Sequence, residues 1–505
     1  MGEQIVNKDY KRVRIQIAFN PKEEHFEVAN PAIEKDKAWI SDIAQIVSPD
    51  FQMFEFVKQY CDLNSDVEVN EIFKTIESLK SIVNNQIGLI ELNSDLDIDT
   101  VTEIFIRINS QGAVLSQADF AMSKIAANET YGGNELRKSI DYFCHLAVRP
   151  EFYRQIENID KSFVATDYFQ AMRWLKDEND DLYDPSYTDM LRVAFTTGFK
   201  RGKLGDLVAL LSGRNFDTRE FEEDIADASF AKLKQGIMRF MNETNFKRFV
   251  MIIRSAGFIA PSMIRSHNAL NFAYIVYLTL REHKVEASKI ESFVRRWYVM
   301  SVLTGRYSSS PETAFDFDIK RINSLGIEKY LTDIEEAELS IAFWEAALPQ
   351  QMNTSVASSP YFKVYLAAQV HGSDTGFLST NITVSALIAH KGDVHHLFPK
   401  NYLKKQGFTK GKYNQIANYV MMQSEINIAV GDKAPSLYFG ELFKEADAGL
   451  SVYGGISDRA ILEKNLRMHC IPSGIEKMGI EDYDDFLQRR RILMAEKIKI
   501  YYAKL

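Results

Sequence analysis

The chain has 505 residues, of which 46% are hydrophobic and 26% charged, and its 33 Phe and 23 Tyr exclude a disordered protein and predict several packed domains. The net charge of −9 excludes a uniformly basic nucleic-acid-binding protein, so any DNA contact must come from a local basic surface. The sequence contains no run of about 18 apolar residues, so no membrane span is predicted. Its three widely spaced cysteines are typical of reduced thiols in a cytosolic protein.

The spacing of hydrophobic residues predicts first a pair of strands and then helices. Residues 11–29 alternate apolar and polar side chains on both sides of the turn sequence NPKEE. This period of two predicts a two-stranded hairpin. Helical periodicity follows over 68–85 and 98–109, and IGLIEL between these two segments predicts a short strand.

A helix boundary is predicted next. Gly112 suits the left-handed residue that ends a helix. Ser116 and Asp119 have the spacing of a capping box, which predicts that another helix begins there. Residues 1–130 therefore predict an α+β unit.

The remainder of the chain is predicted to be mainly helical. Residues 131–349 form a helical middle domain in which 307–316 is a loop, and the polar segment before Pro360 is a linker. A compact unit follows over 350–445, and an amphipathic helical extension over 446–505 ends the chain. The predicted fold class is thus α+β, and predominantly α.

The strongest motif is GDVHHLFPKNYL, which contains two adjacent histidines, His395 and His396. Neighbouring side chains of a strand point to opposite faces, so a bulge or a strand end is needed to direct both imidazoles to one pocket. Asn418 precedes a hydrophobic strand, and Ser424 is the predicted N-cap of a helix that contains Asn427. The order is therefore strand, long loop, strand, helix.

GDVHHLFPKNYL followed by NQIANYVMMQSEINIAVGDKAPSLYF resembles the C-terminal HNH-type nuclease domain of GmrSD-family restriction endonucleases. That resemblance implies a ββα-metal fold and hydrolysis of DNA phosphodiester bonds. It also implies a bacterial restriction or phage-defence role and modified DNA as the substrate class.

The resemblance also implies roles for individual residues. His396 is expected to be the general base. His395 and Asn427 are expected to hold one divalent cation, Mg²⁺ or Mn²⁺, and Asn418 is expected to brace the loop and orient the base.

Asp393 is the point where this chain departs from the family pattern. Many HNH sites have Asp where His395 stands, whereas here the acid lies two residues upstream. Asp393 is either a partner that sets the tautomer of His395 or a residue of the turn.

Local charge favours a phosphate-rich partner. Residues 390–415 contain six lysines and one acidic residue. Lysines close to the base are expected to bind the DNA backbone and to make affinity fall with salt. The expected DNA-binding residues are Lys400, Lys404, Lys405 and Lys433. The three arginines of 489–491 are expected to pair with the acids of 481–485.

The N-terminal segment FIRINSQGAVLSQADF resembles the other domain of the same family, whose core is related to ParB and sulfiredoxin. In that family it accompanies an upstream Asp-Gly-Gln-Gln-Arg motif, and the two together imply binding and hydrolysis of a nucleoside triphosphate. This chain has no such motif, so an incomplete domain without nucleotide turnover is expected. Arg107, Asn109 and Gly112 are the expected remnant of the nucleotide site.

The function expected from the sequence is a cytoplasmic, metal-dependent DNA endonuclease with no membrane partner. The alternative is a DNA-binding or regulatory subunit that does not cleave, with a degenerate nuclease site and an inert nucleotide site. A third reading is a nuclease that requires a partner chain to supply the missing N-terminal motif.

Overall fold

The structure is a computed structural model, and it describes residues 16–48, 50–64, 67–85, 115–177, 180–390, 392 and 394–505 together with the backbone of two strands nearer the N-terminus. The chain folds into two compact units, Met1–Arg107 and Ile108–Leu505. The predicted boundaries at 131, 350 and 446 are finer than this division and stay predictions.

The N-terminal unit contains two small antiparallel sheets. Strand β1 (Gln4–Val6) pairs with β2 (Arg12–Arg14), and β3 (Ile17–Asn20) pairs with β4 (His25–Val28). The β3–β4 hairpin confirms the predicted turn, but the predicted first strand is divided between β2 and β3. Asn20 tightens that turn because its Oδ1 accepts from the backbone N–H groups of Lys22 and Glu23.

The described part of this unit also contains two α-helices, α1 (Met53–Leu63) and α2 (Val69–Ser81). The second confirms the helix predicted over 68–85. The apolar faces of both helices pack with Phe19 of β3 in a small core. The predicted elements IGLIEL and 98–109 and the C-cap Gly112 lie outside the described residues, so the likeness to ParB stays a prediction.

The second unit is built from helices. The first part contains α3 (Gln117–Ala127), α4 (Gly133–Val148), α5 (Tyr153–Ile159), α6 (Lys161–Val164), α7 (Asp167–Ala171), α8 (Tyr187–Phe199), α9 (Leu204–Leu211), α10 (Glu223–Met241), α11 (Glu243–Ser255), α12 (His267–Glu282), α13 (Ala287–Thr304), α14 (Pro311–Leu325) and α15 (Ile327–Glu338). The second part contains α16 (Leu348–Gln351), α17 (Pro360–His371), α18 (Val384–Ala389), β5 (Val394–His396), α19 (Lys400–Lys405), α20 (Lys410–Tyr413), β6 (Tyr419–Met421), α21 (Ser424–Val430), α22 (Pro435–Asp447), α23 (Arg459–Met468) and α24 (Tyr483–Tyr502).

Helix α12 lies at the centre of the first part. Every residue from Ala269 to Leu280 is buried, which is the pattern of a helix enclosed on all sides. It packs against α8 and α13. The polar side chain of Asn271 is accommodated there because its Nδ2 donates to Asp189 at 2.6 Å and its Oδ1 accepts from Tyr183 at 2.7 Å.

The starts of α3 and α14 test two predictions made from local sequence, a capping box and a loop. The capping box at Ser116 and Asp119 is confirmed, with reciprocal side-chain and backbone hydrogen bonds at the start of α3. The predicted loop over 307–316 is wrong in its second half, because α14 begins at Pro311. Proline is well tolerated at the first helical position, where its missing N–H has no intrahelical acceptor.

The last helix, α24, joins the two parts of this unit. It packs against α16 and α17, and the Tyr501 hydroxyl donates to the carbonyl of Ala256 at 2.5 Å. The fold is α+β and predominantly α, as the sequence predicts. None of the helices in the described part of the chain is both long enough and apolar enough to span a lipid bilayer.

Candidate active site

The two histidines lie on the short sheet of the second unit. Strand β5 pairs with β6 in regular antiparallel register, with His395 opposite Val420 and His396 opposite Tyr419. Helix α21 begins three residues after β6 ends. The predicted order of strand, long loop, strand and helix is therefore present, although the N-cap of α21 is Gln423 rather than Ser424.

His396 is the last residue of β5, and its half-buried imidazole lies among polar and aromatic groups. Its Nε2 is 3.0 Å from Oδ1 of Asn414, in the loop between the strands. The rings of Tyr413 and Tyr419 contact it edge-on, with centroids at 6.3 and 5.1 Å. With Asn414 Oδ1 as acceptor, Nε2 carries the proton and Nδ1 has a free lone pair.

The surroundings of His396 favour its neutral form. Burial lowers its pKa below the ordinary value of 6.5, and the nearby Lys400 ammonium acts in the same direction, while the hydrogen bond that the ring donates to Asn414 opposes both. A lowered pKa keeps the imidazole unprotonated at neutral pH. This is the state that a general base requires.

His395 is also half-buried, and it lies one residue earlier on β5. Because the register is regular, the two imidazoles leave the strand on opposite faces. A bulge or a strand end could direct both imidazoles to one pocket. Since the register is regular and β5 ends at His396, the strand end is the feature present here. Asp393 lies outside the described residues, so both readings of its role stay open.

Asn427 lies in α21, and its side chain is half-buried. An imidazole nitrogen of the type that His395 offers and an amide oxygen of the type that Asn427 offers are both accepted by divalent cations, which take water and phosphate oxygens as further ligands. In the described ranges no group of three or more His, Cys, Asp or Glu side chains is placed to hold a metal ion. The pairing of His395 with Asn427 as metal ligands therefore stays a prediction from the resemblance, and only the chemistry of the two donor types supports it.

Asn418 is fully buried, and its amide is committed to the backbone. Its Oδ1 accepts from the N–H of Phe398 at 2.8 Å. Its Nδ2 donates to the carbonyls of Phe398 and Tyr413 at 3.1 and 3.2 Å. Asn418 therefore braces the loop, whereas the contact with the His396 ring is made by Asn414, which the sequence analysis did not single out.

Lys400 and Lys404 lie one turn apart on α19, and both ammonium groups approach the Tyr413 ring, at 5.9 and 5.8 Å from its centroid. Neither forms an ion pair with an acidic side chain of the described residues. Since Tyr413 also contacts His396, these two cations lie beside the candidate base. Their charge is available to a phosphate.

Lys405 and Lys433, unlike Lys400 and Lys404, form ion pairs with acidic side chains. The Lys405 ammonium is 2.5 Å from Asp432, and that of Lys433 is 2.9 Å from Glu441 and 2.6 Å from the Tyr453 hydroxyl. Their charges are therefore compensated within the protein. The carboxylate partners lie 27 and 8 residues away along the chain, which is why sequence reasoning could not identify them.

The arginine run near the C-terminus was predicted to pair with nearby acids. Arg489 does so, with Asp485 at 3.6 Å. Arg490, however, is fully buried in α24 and donates to the carbonyls of Ala417 and His469, at 2.7 Å for the former. It thereby attaches the final helix to the residue that precedes Asn418.

The expected nucleotide-binding remnant, Arg107, Asn109 and Gly112, lies outside the described residues. These three assignments stay predictions.

Comparison with known proteins adds little to this geometry. No protein-family model matches the chain, and no solved structure matches it. The uncharacterized protein MJ0686 of Methanocaldococcus jannaschii is 26% identical over 223 residues. The match covers 41% of this chain and 36% of that relative, whose name states no activity.

The bracing role of Asn418 predicts a large loss of stability when its amide is removed. Asn418→Ala leaves three buried backbone groups without partners, so we expect the free energy of unfolding to fall by about 3 kcal/mol. Urea denaturation followed by circular dichroism measures this change. Asn401→Ala, at an exposed position of α19, is the control and should stay within about 0.5 kcal/mol of wild type. Equal effects of the two substitutions would contradict the role.

Proposed function

We propose that the chain is a metal-dependent DNA endonuclease of the HNH type. The observation that carries this proposal is the half-buried imidazole of His396 at the end of β5, with Nε2 bonded to Asn414 and its pKa lowered. The ββα arrangement, with Asn427 in the helix that follows the second strand, supports the same reading.

In the proposed mechanism, Nδ1 of His396 removes a proton from the water that attacks phosphorus. Asn414 holds the ring through Nε2, so Nδ1 keeps the lone pair that accepts the proton. Asn418 positions this loop through the backbone of Phe398 and Tyr413. A divalent cation, Mg²⁺ or Mn²⁺, held by His395 and Asn427 would neutralise charge on the scissile phosphate and the departing oxygen.

The proposed substrate is DNA, because Lys400 and Lys404 offer uncompensated positive charge beside the base. A restriction or phage-defence role, modified DNA as the preferred substrate and a cytoplasmic location rest on the resemblance to the GmrSD family. A partner chain that carries an Asp-Gly-Gln-Gln-Arg motif belongs to the alternative of a two-chain enzyme.

Removal of the imidazole tests the base directly. His396→Ala should lower the rate of plasmid cleavage in Mg²⁺ or Mn²⁺ by about 10²–10⁴-fold, the usual contribution of a positioned base. In wild type, the rate should rise with pH along an acid limb whose midpoint lies below 6.5, because the pKa of His396 is lowered. His283→Ala, at an exposed position after α12, is the matched control and should leave the rate unchanged.

Equal cleavage by wild type and His396→Ala would remove His396 from the mechanism. Salt-sensitive DNA binding by wild type without any product would favour the non-cleaving DNA-binding subunit instead. Cleavage that appears only when a chain with the missing motif is added would favour the two-chain enzyme.

The lysines of α19 give a second test, by charge. Lys400→Ala and Lys404→Ala should each weaken binding to a short duplex, and each should reduce the slope of log K against log salt by about 0.9, the value for one lost phosphate contact. Lys405→Ala is the matched control, because its ammonium is already paired with Asp432. Fluorescence anisotropy at several salt concentrations measures these slopes, and three identical slopes would show that the pairing is irrelevant to DNA binding.

A further inference from the structure

A cavity of about 470 Å³ lies in the helical part of the second unit, in a region that the proposed nuclease mechanism does not use. Its walls come from the first turns of α8 and α12, from the end of α13 and the turn that follows, and from Pro360 at the start of α17. Most of the residues that line it have polar side chains. The lining includes side chains from two helix starts, which bear the positive end of the helix dipole.

The two helix N-termini are well defined. Ser186 caps the 13-residue α8 by accepting from the N–H of Asp189, and Ser266 caps the 16-residue α12 by accepting from the N–H of Ala269. Both serines line the cavity. Helix N-termini favour anions because their first N–H groups and the dipole point towards the ligand.

The basic side chains favour the same class of ligand. Arg192, Arg265 and His267 line the cavity, and Lys363 lies close enough for the charge of Arg265 to act on it. Burial, together with that charge, lowers the pKa of Lys363. Neither Arg265 nor Lys363 has an acidic partner among the residues that the structure describes.

The acidic groups nearby are already engaged. Asp189 lines the cavity, but its Oδ2 accepts from the N–H and hydroxyl of Ser186, and its Oδ1 accepts from Asn271. Glu312 lies 3.6 Å from one terminal nitrogen of Arg192, and the other donates to Asn268. The cavity therefore retains more free positive than free negative charge.

Two buried donors in the wall are unsatisfied. Ser301 is only 2% exposed, and its Oγ has no hydrogen-bond partner within the described ranges of the chain. The same holds for Nε of Arg192. Buried polar atoms usually have partners in folded proteins, so these two donors at the wall of one cavity are available to the acceptor oxygens of a bound group.

We propose that this cavity binds the phosphate group of a small phosphorylated molecule, with Arg265 and Ser301 among its contacts. Phosphate has enough acceptor oxygens to satisfy a guanidinium, a hydroxyl and a helix N-terminus together. The volume suits a ligand of mononucleotide size. A small phosphate monoester can reach the buried wall at Ser301, whereas a DNA duplex presents its phosphates from a convex backbone.

The test is isothermal titration calorimetry on the full chain with AMP and inorganic phosphate as probes and adenosine as the phosphate-free control. AMP and phosphate should bind saturably, and adenosine should not. Arg265→Ala should weaken AMP binding by about tenfold or more, because a hydrogen bond between charged groups is lost. Arg281→Ala, an exposed arginine at the other end of α12, is the matched control and should bind AMP like wild type.

Ser301→Ala separates a binding role from a structural one. Because its hydroxyl has no partner in the described protein, its removal should not lower the melting temperature of the free protein, yet it should weaken AMP binding. The absence of saturable heat with AMP and phosphate, or equal affinity in wild type and Arg265→Ala, would overturn the proposal. Binding of a 12-base-pair duplex that depends on Arg265, without binding of AMP, would also overturn it. None of these results depends on DNA cleavage, so this proposal and the nuclease proposal fail separately.

Discussion

One buried amide, that of Asn418, holds the geometry on which the candidate site depends. Strands of three residues have too few ladder hydrogen bonds to fix the loop between them. Asn418 supplies three more, to the backbone at both ends of that loop. Arg490 of the last helix also donates to the adjacent carbonyl of Ala417. The ring of His396 has a defined partner because Asn414, which follows Tyr413, belongs to a segment fixed in this way.

The second constraint is electrostatic. An acidic chain can bind a polyanion only where local positive charge is left uncompensated. The site achieves this by pairing some lysines and leaving others unpaired. Lys405 and Lys433 have carboxylate partners, whereas Lys400 and Lys404 approach the Tyr413 ring beside His396. Lys400, one of the two cations proposed to attract phosphate, also lowers the pKa of His396 and so helps to keep its imidazole neutral, which suits the proposed proton abstraction.

Local features of this fold could be predicted from the sequence, and features that depend on distant contacts could not. The β3–β4 hairpin and the capping box at Ser116 are set by residues within a few positions of one another, and both are confirmed. The strand, loop, strand and helix around the histidines also follow from local pattern. The pairing of Lys405, the burial of Arg490 and the contact of Asn414 with His396 depend on residues 18 to 73 positions away, and no local pattern encodes them.

The central claim is that His395 and Asn427 hold one cation at the end of β5, next to the base His396. Crystals soaked in MnCl₂ and measured at the manganese absorption edge test it most directly. The account predicts one anomalous peak within inner-shell distance, about 2.0–2.6 Å, of a His395 nitrogen and the Asn427 side-chain oxygen. A map without a peak there, or a peak bound by other residues while these two side chains stay apart, would contradict it.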